Sequence, residues 1–188
     1  MISEDRFQKF DWEDFYPGAC EPIPLDMPRP KGKSVSTRCF VDTNRAGDKT
    51  TRRSMTGILI CCNIALIIWH SKRKNGVKTA RFDSEFTAMK SSVELIAVLR
   101  YKLRMFGVPI DGSTDIFCDN EAVYKNASTH ESQLRKKHSS ISYHTSREAV
   151  ASGAYRMAKE DTDTNLSELF TKVIPRPGRE ILLDSLTY

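Results

Sequence analysis

Between Arg38 and Ser71 apolar and polar positions alternate with a period of two, and the residues are largely β-branched or aromatic, the pattern of half-buried strands. Three strands are predicted there, over 38–42, Met55–Cys62 and Ile64–Ser71, with Asn63 at the tight turn between the last two. They imply a consecutive antiparallel set. The period then changes. Phe86, Met89, Val93, Ile96, Leu99 and Leu103 recur at three- and four-residue intervals, which predicts a long helix capped by Asp83 or Ser84 and stopped at Gly107.

Further along, Thr114–Cys118 is a fourth strand ending on Asp119, with a short helix over Asn120–Asn126. Ser139–Ala151 is a second amphipathic helix with Gly153 as its stop, and Ala154–Ala158 is a fifth strand. A last short helix over Thr164–Thr171 is expected to be capped by Thr164 and packed through Leu166, Leu169 and Phe170. Pro175-Arg176-Pro177-Gly178 should break structure, leaving room for one helical turn over Ile181–Leu186.

The first 36 residues follow neither period. Phe7, Phe10, Trp12, Phe15 and Tyr16 are aromatic enough to pack on something, while Pro17, Pro22, Pro24, Pro28 and Pro30 favour extended chain. The expected division is a proline-rich arm over 1–36, a folded domain over 37–174 and a tail over 175–188, without internal repeats.

Composition narrows the function classes. At 188 residues and 39% apolar content the chain can bury one sizeable core. The longest apolar candidate, Ile58 to Trp69, is interrupted by Asn63 and falls short of the roughly 20 residues a membrane span needs. The start, Met1-Ile2-Ser3-Glu4-Asp5, lacks the basic flank and apolar centre of a secretory signal. An intracellular protein with no membrane partner is expected, with particle-associated cytoplasm and nucleus both open. Five cysteines (Cys20, Cys39, Cys61, Cys62, Cys118) have no zinc-type spacing and are expected to be reduced core thiols.

The formal charge of +5 is uneven. Residues 1–26 hold seven acids against Arg6 and Lys9, whereas residues 31–81 carry twelve basic side chains against Asp42 and Asp48. Basic surface favours polyanions through counterion release.

The acids of the folded part fall at element ends. Asp42 closes strand one, Glu85 lies in the first turn of the long helix, Asp119 ends strand four, and Glu168 lies on the last helix. An aspartate closing a buried strand is costly to desolvate unless a cation or a hydrogen-bond network holds it. Taken singly, each has a plainer reading: Asp42 as a turn-forming acid, Glu85 and Glu168 as helix-surface acids, and Asp119 as an N-cap. Taken together, four acids from four separated elements could converge on one point.

These same stretches carry a resemblance. Val41-Asp42-Thr43-Asn44-Arg45-Ala46-Gly47-Asp48-Lys49 and Thr51-Arg52-Arg53-Ser54-Met55-Thr56-Gly57 resemble the opening of the ribonuclease H domain in copia-type retrotransposon polyproteins. The resemblance continues through Trp69-His70-Ser71-Lys72, Ser84-Glu85-Phe86-Thr87-Ala88, Cys118-Asp119-Asn120, Lys137-His138, Tyr143-His144, Arg147-Glu148 and Asn165-Leu166-Ser167-Glu168-Leu169-Phe170-Thr171-Lys172. It covers about residues 38–172, and the proline-rich arm resembles the segment joining the polymerase to this domain.

The resemblance implies an α/β, ribonuclease H-like fold, a five-stranded mixed sheet flanked by helices. It implies hydrolysis of the RNA strand of an RNA–DNA hybrid with two magnesium ions, manganese being an alternative. Asp42, Glu85 and Asp119 match three metal-binding carboxylates of that family, and Glu168 stands where the family usually has aspartate. Two hard cations about 4 Å apart need oxygen-rich ligands, and carboxylates gathered that closely without them would repel. The extra methylene of Glu168 is expected to slow turnover, because magnesium tolerates little displacement of its ligands.

Arg45, Arg52, Arg53, Lys72 and Lys74, with Asn120 and His144, are the residues expected to touch nucleic acid. His144 with Arg147 could reach a phosphate, whereas Ser140 replaces the aspartate that many copia-type sequences carry there. The expected partners are an RNA–DNA hybrid and the polymerase part of a retroelement polyprotein. Two other readings stay open. One is a weakened remnant that binds nucleic acid without cleaving it; the other is an interaction module docking a partner through Phe10, Trp12, Phe15 and Tyr16.

Overall fold

The computed structural model describes residues 6–7, 10–44, 50–51, 53–73, 81–129 and 140–186, the side chains of residues 81 and 82 excepted. Five strands, β1 (Thr37–Asn44), β2 (Met55–Cys62), β3 (Ala65–Arg73), β4 (Thr114–Cys118) and β5 (Tyr155–Lys159), form one sheet in the order β3-β2-β1-β4-β5. The first three are antiparallel neighbours, and β4 and β5 add in parallel.

The β2–β3 turn is closed by Asn63, whose φ of 54° lies in the left-handed region that asparagine tolerates. Its carboxamide oxygen accepts from the Ser36 amide at 3.0 Å, and its carbonyl accepts from Arg38 at 2.7 Å. This hairpin is therefore fixed to the start of β1.

β1 runs two residues beyond the expected end. Thr43 and Asn44 continue the ladder against Thr56 and Met55, so Asp42 lies within the strand rather than closing it. β2 is buried on both faces, with Ile58 and Ile60 turned to one side and Leu59 and Cys61 to the other.

Helix α1 (Arg81–Met105) carries the predicted apolar face, with Phe86, Met89, Val93, Ile96 and Leu99 buried. It begins earlier than its capping pattern suggested. Asp83 sits inside the first turn, where the helix dipole favours an acid, and Glu85 falls in the second turn rather than the first. Gly107, at φ 69°, ends it by donating to Arg104 at 2.9 Å, while Val108 donates to Leu103 at 2.9 Å.

Helix α2 (Glu121–Ser128) is capped by Asn120, which accepts from the amides of Ala122 and Val123. Helix α3 (Ser140–Ala151) packs on α1 and α2. The expected helix over Thr164–Thr171 is instead two 3-10 turns, Thr162–Thr164 and Leu166–Phe170. The second is capped by Asn165 and not by Thr164, because the Asn165 side chain reaches the Ser167 amide. Pro175–Gly178 does not break structure: Pro177 and Gly178 lie in the first turn of helix α4 (Arg176–Asp184), where a missing amide costs nothing.

The main core lies between the sheet and α1–α3, around Val41, Ile58, Phe86, Met89, Ile96, Ile116 and Met157. On the opposite face, Leu59, Cys61, Leu166 and Leu182 form a second cluster under the 3-10 turn and α4. The arm adds to that face beside β4 and β5. Phe7 is buried against Phe117, with their ring centroids 6.3 Å apart, and the Arg156 guanidinium lies 4.0 Å above the Phe7 ring.

Beyond Phe7 the arm remains attached. Trp12 is buried with Arg147 4.8 Å from its ring, and Glu21 accepts from Arg100 at 2.6 and 2.9 Å and from Arg104 at 2.6 Å. The expectation of five core thiols needs one correction. Cys39, Cys61 and Cys118 are buried and Cys62 is half-buried, but Cys20 is exposed because it sits on the arm. Among the described residues, no helix is long and apolar enough to cross a membrane.

Candidate metal centre

Asp42 lies opposite Gly57 in the β1–β2 ladder, and its side chain is 1% exposed. Burying a carboxylate this completely demands compensation. Part of it comes from Thr171, whose hydroxyl donates to Oδ2. Oδ1 is also buried and has no hydrogen-bond partner among the described residues.

Two more carboxylates approach Asp42 from separate elements. Asp119 follows β4 and accepts from the Thr162 hydroxyl at 3.4 Å, while Glu168 comes from the 3-10 turn. One oxygen from each of Asp42, Asp119 and Glu168 lies within 4.8 Å of the others. Glu85 is not part of that trio, but it lines a cleft together with Asp42, Thr43, Asp119 and Asn120. Asp42 and Asp119 are thus common to both groupings, with Glu85 in one and Glu168 in the other.

Oxygen donors alone, one of them buried and unsatisfied, are a set that suits a hard divalent cation. These residues fit a metal ion and could hold one.

The segment bearing Glu168 is hydrogen-bonded to two strands, β1 and β3. Asn165, fully buried, donates to the Val41 carbonyl at 3.1 Å. Asn44 donates to the Thr171 carbonyl at 3.1 Å, and Ser71 donates to the Phe170 carbonyl at 2.8 Å. Beneath it lies Gly57, where an added Cβ would stand 2.6 Å from the Ser167 carbonyl oxygen and 2.7 Å from Thr171 Cγ2. Only glycine admits this approach of turn to strand.

Lys172 supplies the nearby positive charge. Its ammonium donates to Glu168 Oε1 and lies 4.0 Å from Asp42 Oδ2. Burial raises the Glu168 carboxyl above its ordinary value; the Lys172 hydrogen bond opposes this, and the Asp42 and Asp119 charges add to it. Burial lowers Lys172, but the Glu168 hydrogen bond and the surrounding carboxylates outweigh it, so the ammonium is held above its ordinary value. Burial, then the Asp119 and Glu85 charges, push the Cys118 thiol well up, which leaves it an inert part of the core.

Of the residues expected to touch nucleic acid, Arg53 is half-buried and Lys72 exposed. Lys72 pairs with Thr56 and Arg73 with Met55, so β3 ends in two cations at the same end of the sheet as Asp42. Asn120 faces the cleft, with its side-chain oxygen committed to capping α2. His144 is bonded through Nδ1 to the Tyr16 hydroxyl at 2.8 Å. Arg147 is 2% exposed, packed among Trp12, Phe15 and Tyr143, and its guanidinium donates to the carbonyls of Asn126 and Thr129. Buried in this way it is not placed to join His144 at a phosphate, a contact that the sequence left only as a possibility. Arg45, Arg52 and Lys74 lie outside the described residues.

Asn165, Thr171, Lys172 and Gly57 were not singled out by acid placement, although all four fall within the strings that carry the resemblance. The four-residue spacing of Glu168 and Lys172 was a legible sign of their pairing.

No family model matches the chain. It is 27% identical over 146 residues to the retrovirus-related Pol polyprotein from transposon RE1 of Arabidopsis thaliana, covering 78% of this chain and 10% of the relative. It is 27% identical over 150 residues to that from transposon TNT 1-94 of Nicotiana tabacum, covering 80% of this chain and 11% of the relative. The chain therefore spans about a tenth of the length of the curated relatives it matches. Among solved structures it is similar to LC11-RNase H1 in complex with RNA/DNA hybrid, at a TM-score of 0.56 and 10% identity, covering 81% of this chain and all of that one. A mixed five-stranded sheet of this order and relatives of this kind lead to one conclusion: the chain has a ribonuclease H fold and is similar in sequence to the retrovirus-related Pol polyproteins of plant copia-type transposons.

Proposed function

We propose that this domain hydrolyses the RNA strand of RNA–DNA hybrids, with Asp42, Glu85, Asp119 and Glu168 holding two divalent ions, magnesium by preference and manganese as an alternative. The observation that carries the proposal is the sharing of Asp42 and Asp119 between the Glu168 trio and the Glu85 cleft. Two overlapping carboxylate sets suit a pair of ions better than a single one. Such ions, when bound, activate an attacking water and stabilise the leaving oxygen.

The chain's own residues prepare the site. Thr171 fixes the orientation of the Asp42 carboxylate, the Asn165 and Asn44 hydrogen bonds hold the Glu168 turn against β1, and the Ser71 hydrogen bond holds it to β3. Arg53, Lys72 and Arg73, at the Asp42 end of the sheet, are suited to phosphate contacts that position a duplex without reading its sequence. A 2′-hydroxyl contact would distinguish the RNA strand from DNA.

The test is incubation of separately end-labelled RNA–DNA, DNA–DNA and RNA–RNA duplexes with the full chain and magnesium, alongside Asp42→Asn. Cleavage confined to the RNA of the hybrid and lost in Asp42→Asn supports the proposal. Hybrid binding with no cleavage would favour a remnant that only binds nucleic acid, a reading motivated by the Glu168–Lys172 pair, which occupies one carboxylate oxygen.

A further inference from the structure

Thr171 and Lys172 present a hydroxyl and an ammonium to two carboxylates of one cluster. Their backbone amides both donate to the Glu168 carbonyl at 3.1 Å, which fixes where the two side chains start. Thr171 then reaches Asp42 Oδ2, and Lys172 reaches Glu168 Oε1 while lying 4.0 Å from that same Asp42 oxygen. The side chains of Asp42 and Glu168 are 1% and 8% exposed, so solvent screens their mutual repulsion poorly. An ion pair four residues apart on an open helix surface contributes little. Here the partner oxygens are buried, and the same ammonium faces two acids.

The two Asp42 oxygens are inequivalent. Oδ2 faces Thr171 and Lys172, whereas Oδ1 is buried with no hydrogen-bond partner among the described residues. A cation approaching through Oδ1 leaves the Thr171 bond intact, but one that also takes Glu168 Oε1 must separate Glu168 from Lys172. Lys172 is one-third exposed, so its ammonium can swing into solvent once released.

We propose that Lys172 is a built-in counter-cation of the Asp42–Asp119–Glu168 cluster and competes with a divalent ion for Glu168, thereby setting the ion concentration the site requires. The proposal rests on the metal-centre reading above. It assigns Lys172 a positioning and regulatory role toward the ion, separate from any contact with nucleic acid.

The test is calorimetric titration of magnesium and manganese, without nucleic acid, into the full chain, Lys172→Gln and Lys172→Arg, with the thermal midpoint of each recorded with and without magnesium. Lys172→Gln should bind the ion about tenfold more tightly, melt lower without the ion, and regain that loss at saturating magnesium. Lys172→Arg, which keeps the charge, should bind like the parent chain. Unchanged or weaker binding by Lys172→Gln, with the parent chain binding normally, would overturn the proposal. Absence of ion binding in all three folded proteins would overturn the metal-centre reading itself and this proposal with it.

Discussion

Asn165 donates from its carboxamide to the carbonyl oxygen of Val41 at 3.1 Å, joining the turn that carries Glu168 to the strand that carries Asp42. Its side-chain oxygen accepts from the Ser167 amide at 3.2 Å and the Ser167 hydroxyl at 2.6 Å, so one buried side chain both starts the turn and anchors it. Replacing it with alanine leaves the Val41 carbonyl and the Ser167 amide without these partners. Asn165→Ala should lose about 3 kcal/mol of stability in urea denaturation. Its cleavage rate should fall further than the folded fraction accounts for, because Glu168 is no longer held against Asp42.

Gly57 tests the same attachment from below. A methyl group there would meet the Ser167 carbonyl oxygen at 2.6 Å, and a backbone oxygen has little freedom to move aside. Gly57→Ala should destabilise the domain by about 2 kcal/mol through overpacking. It should also weaken ion binding, measured by calorimetry on the folded protein. A variant that bound ions normally would show that the turn can retreat without moving Glu168.

The arm makes an electrostatic prediction. Burial raises the Glu21 carboxyl, but the hydrogen bonds and charges of Arg100 and Arg104 lower it by more, to about 2 from an ordinary value of 4.5. A folded value below the unfolded one means that the pair's contribution is complete above pH 4.5 and is lost as pH falls toward about 2. Arg100 is 3% exposed and has no other acid among its hydrogen-bond partners, which are the Gly112 carbonyl and the Thr114 hydroxyl. Glu21→Gln should therefore cost about 3 kcal/mol near neutral pH. The difference from the parent chain should shrink steadily between those two pH values in a series of denaturation curves.

Phe7 makes a packing prediction. It is 6% exposed, lies against Phe117, and carries the Arg156 guanidinium on its ring. Phe7→Ala should lower stability by about 3 kcal/mol. The melting temperature measures this, and a surface-like change of a few tenths of a kcal/mol would show that the arm contributes nothing to the second sheet face.

Much of this architecture was legible in the sequence, for local reasons. The apolar face of α1 repeats from Phe86 to Leu103, and the β2–β3 hairpin combines a period of two with an asparagine at its turn. The four acids were singled out as costly places to bury a carboxylate, although Asp42 lies within β1 and Glu85 in the second turn of α1 rather than at the element ends that the pattern suggested. Local pattern failed where long-range contacts decide. Thr164 and Asn165 are both good caps, and only the Val41 carbonyl on a distant strand selects Asn165. Pro175–Gly178 resembles a breaker, yet a proline within a first helical turn is compatible with a helix that Leu182 anchors in the second core. The aromatic spacing of the arm showed that it would pack, but not that Phe117, Arg147 and Arg156 would receive it.

The most direct measurement is cleavage of a labelled RNA–DNA hybrid with magnesium by the full chain, Asp119→Asn and Glu168→Asp in parallel. The account predicts that the parent chain cuts the RNA strand, that Asp119→Asn does not, and that Glu168→Asp cuts faster by restoring the shorter ligand. If none of the three cuts while all bind the hybrid, or if Asp119→Asn cuts as well as the parent chain, the assignment of these carboxylates to a nuclease centre is wrong.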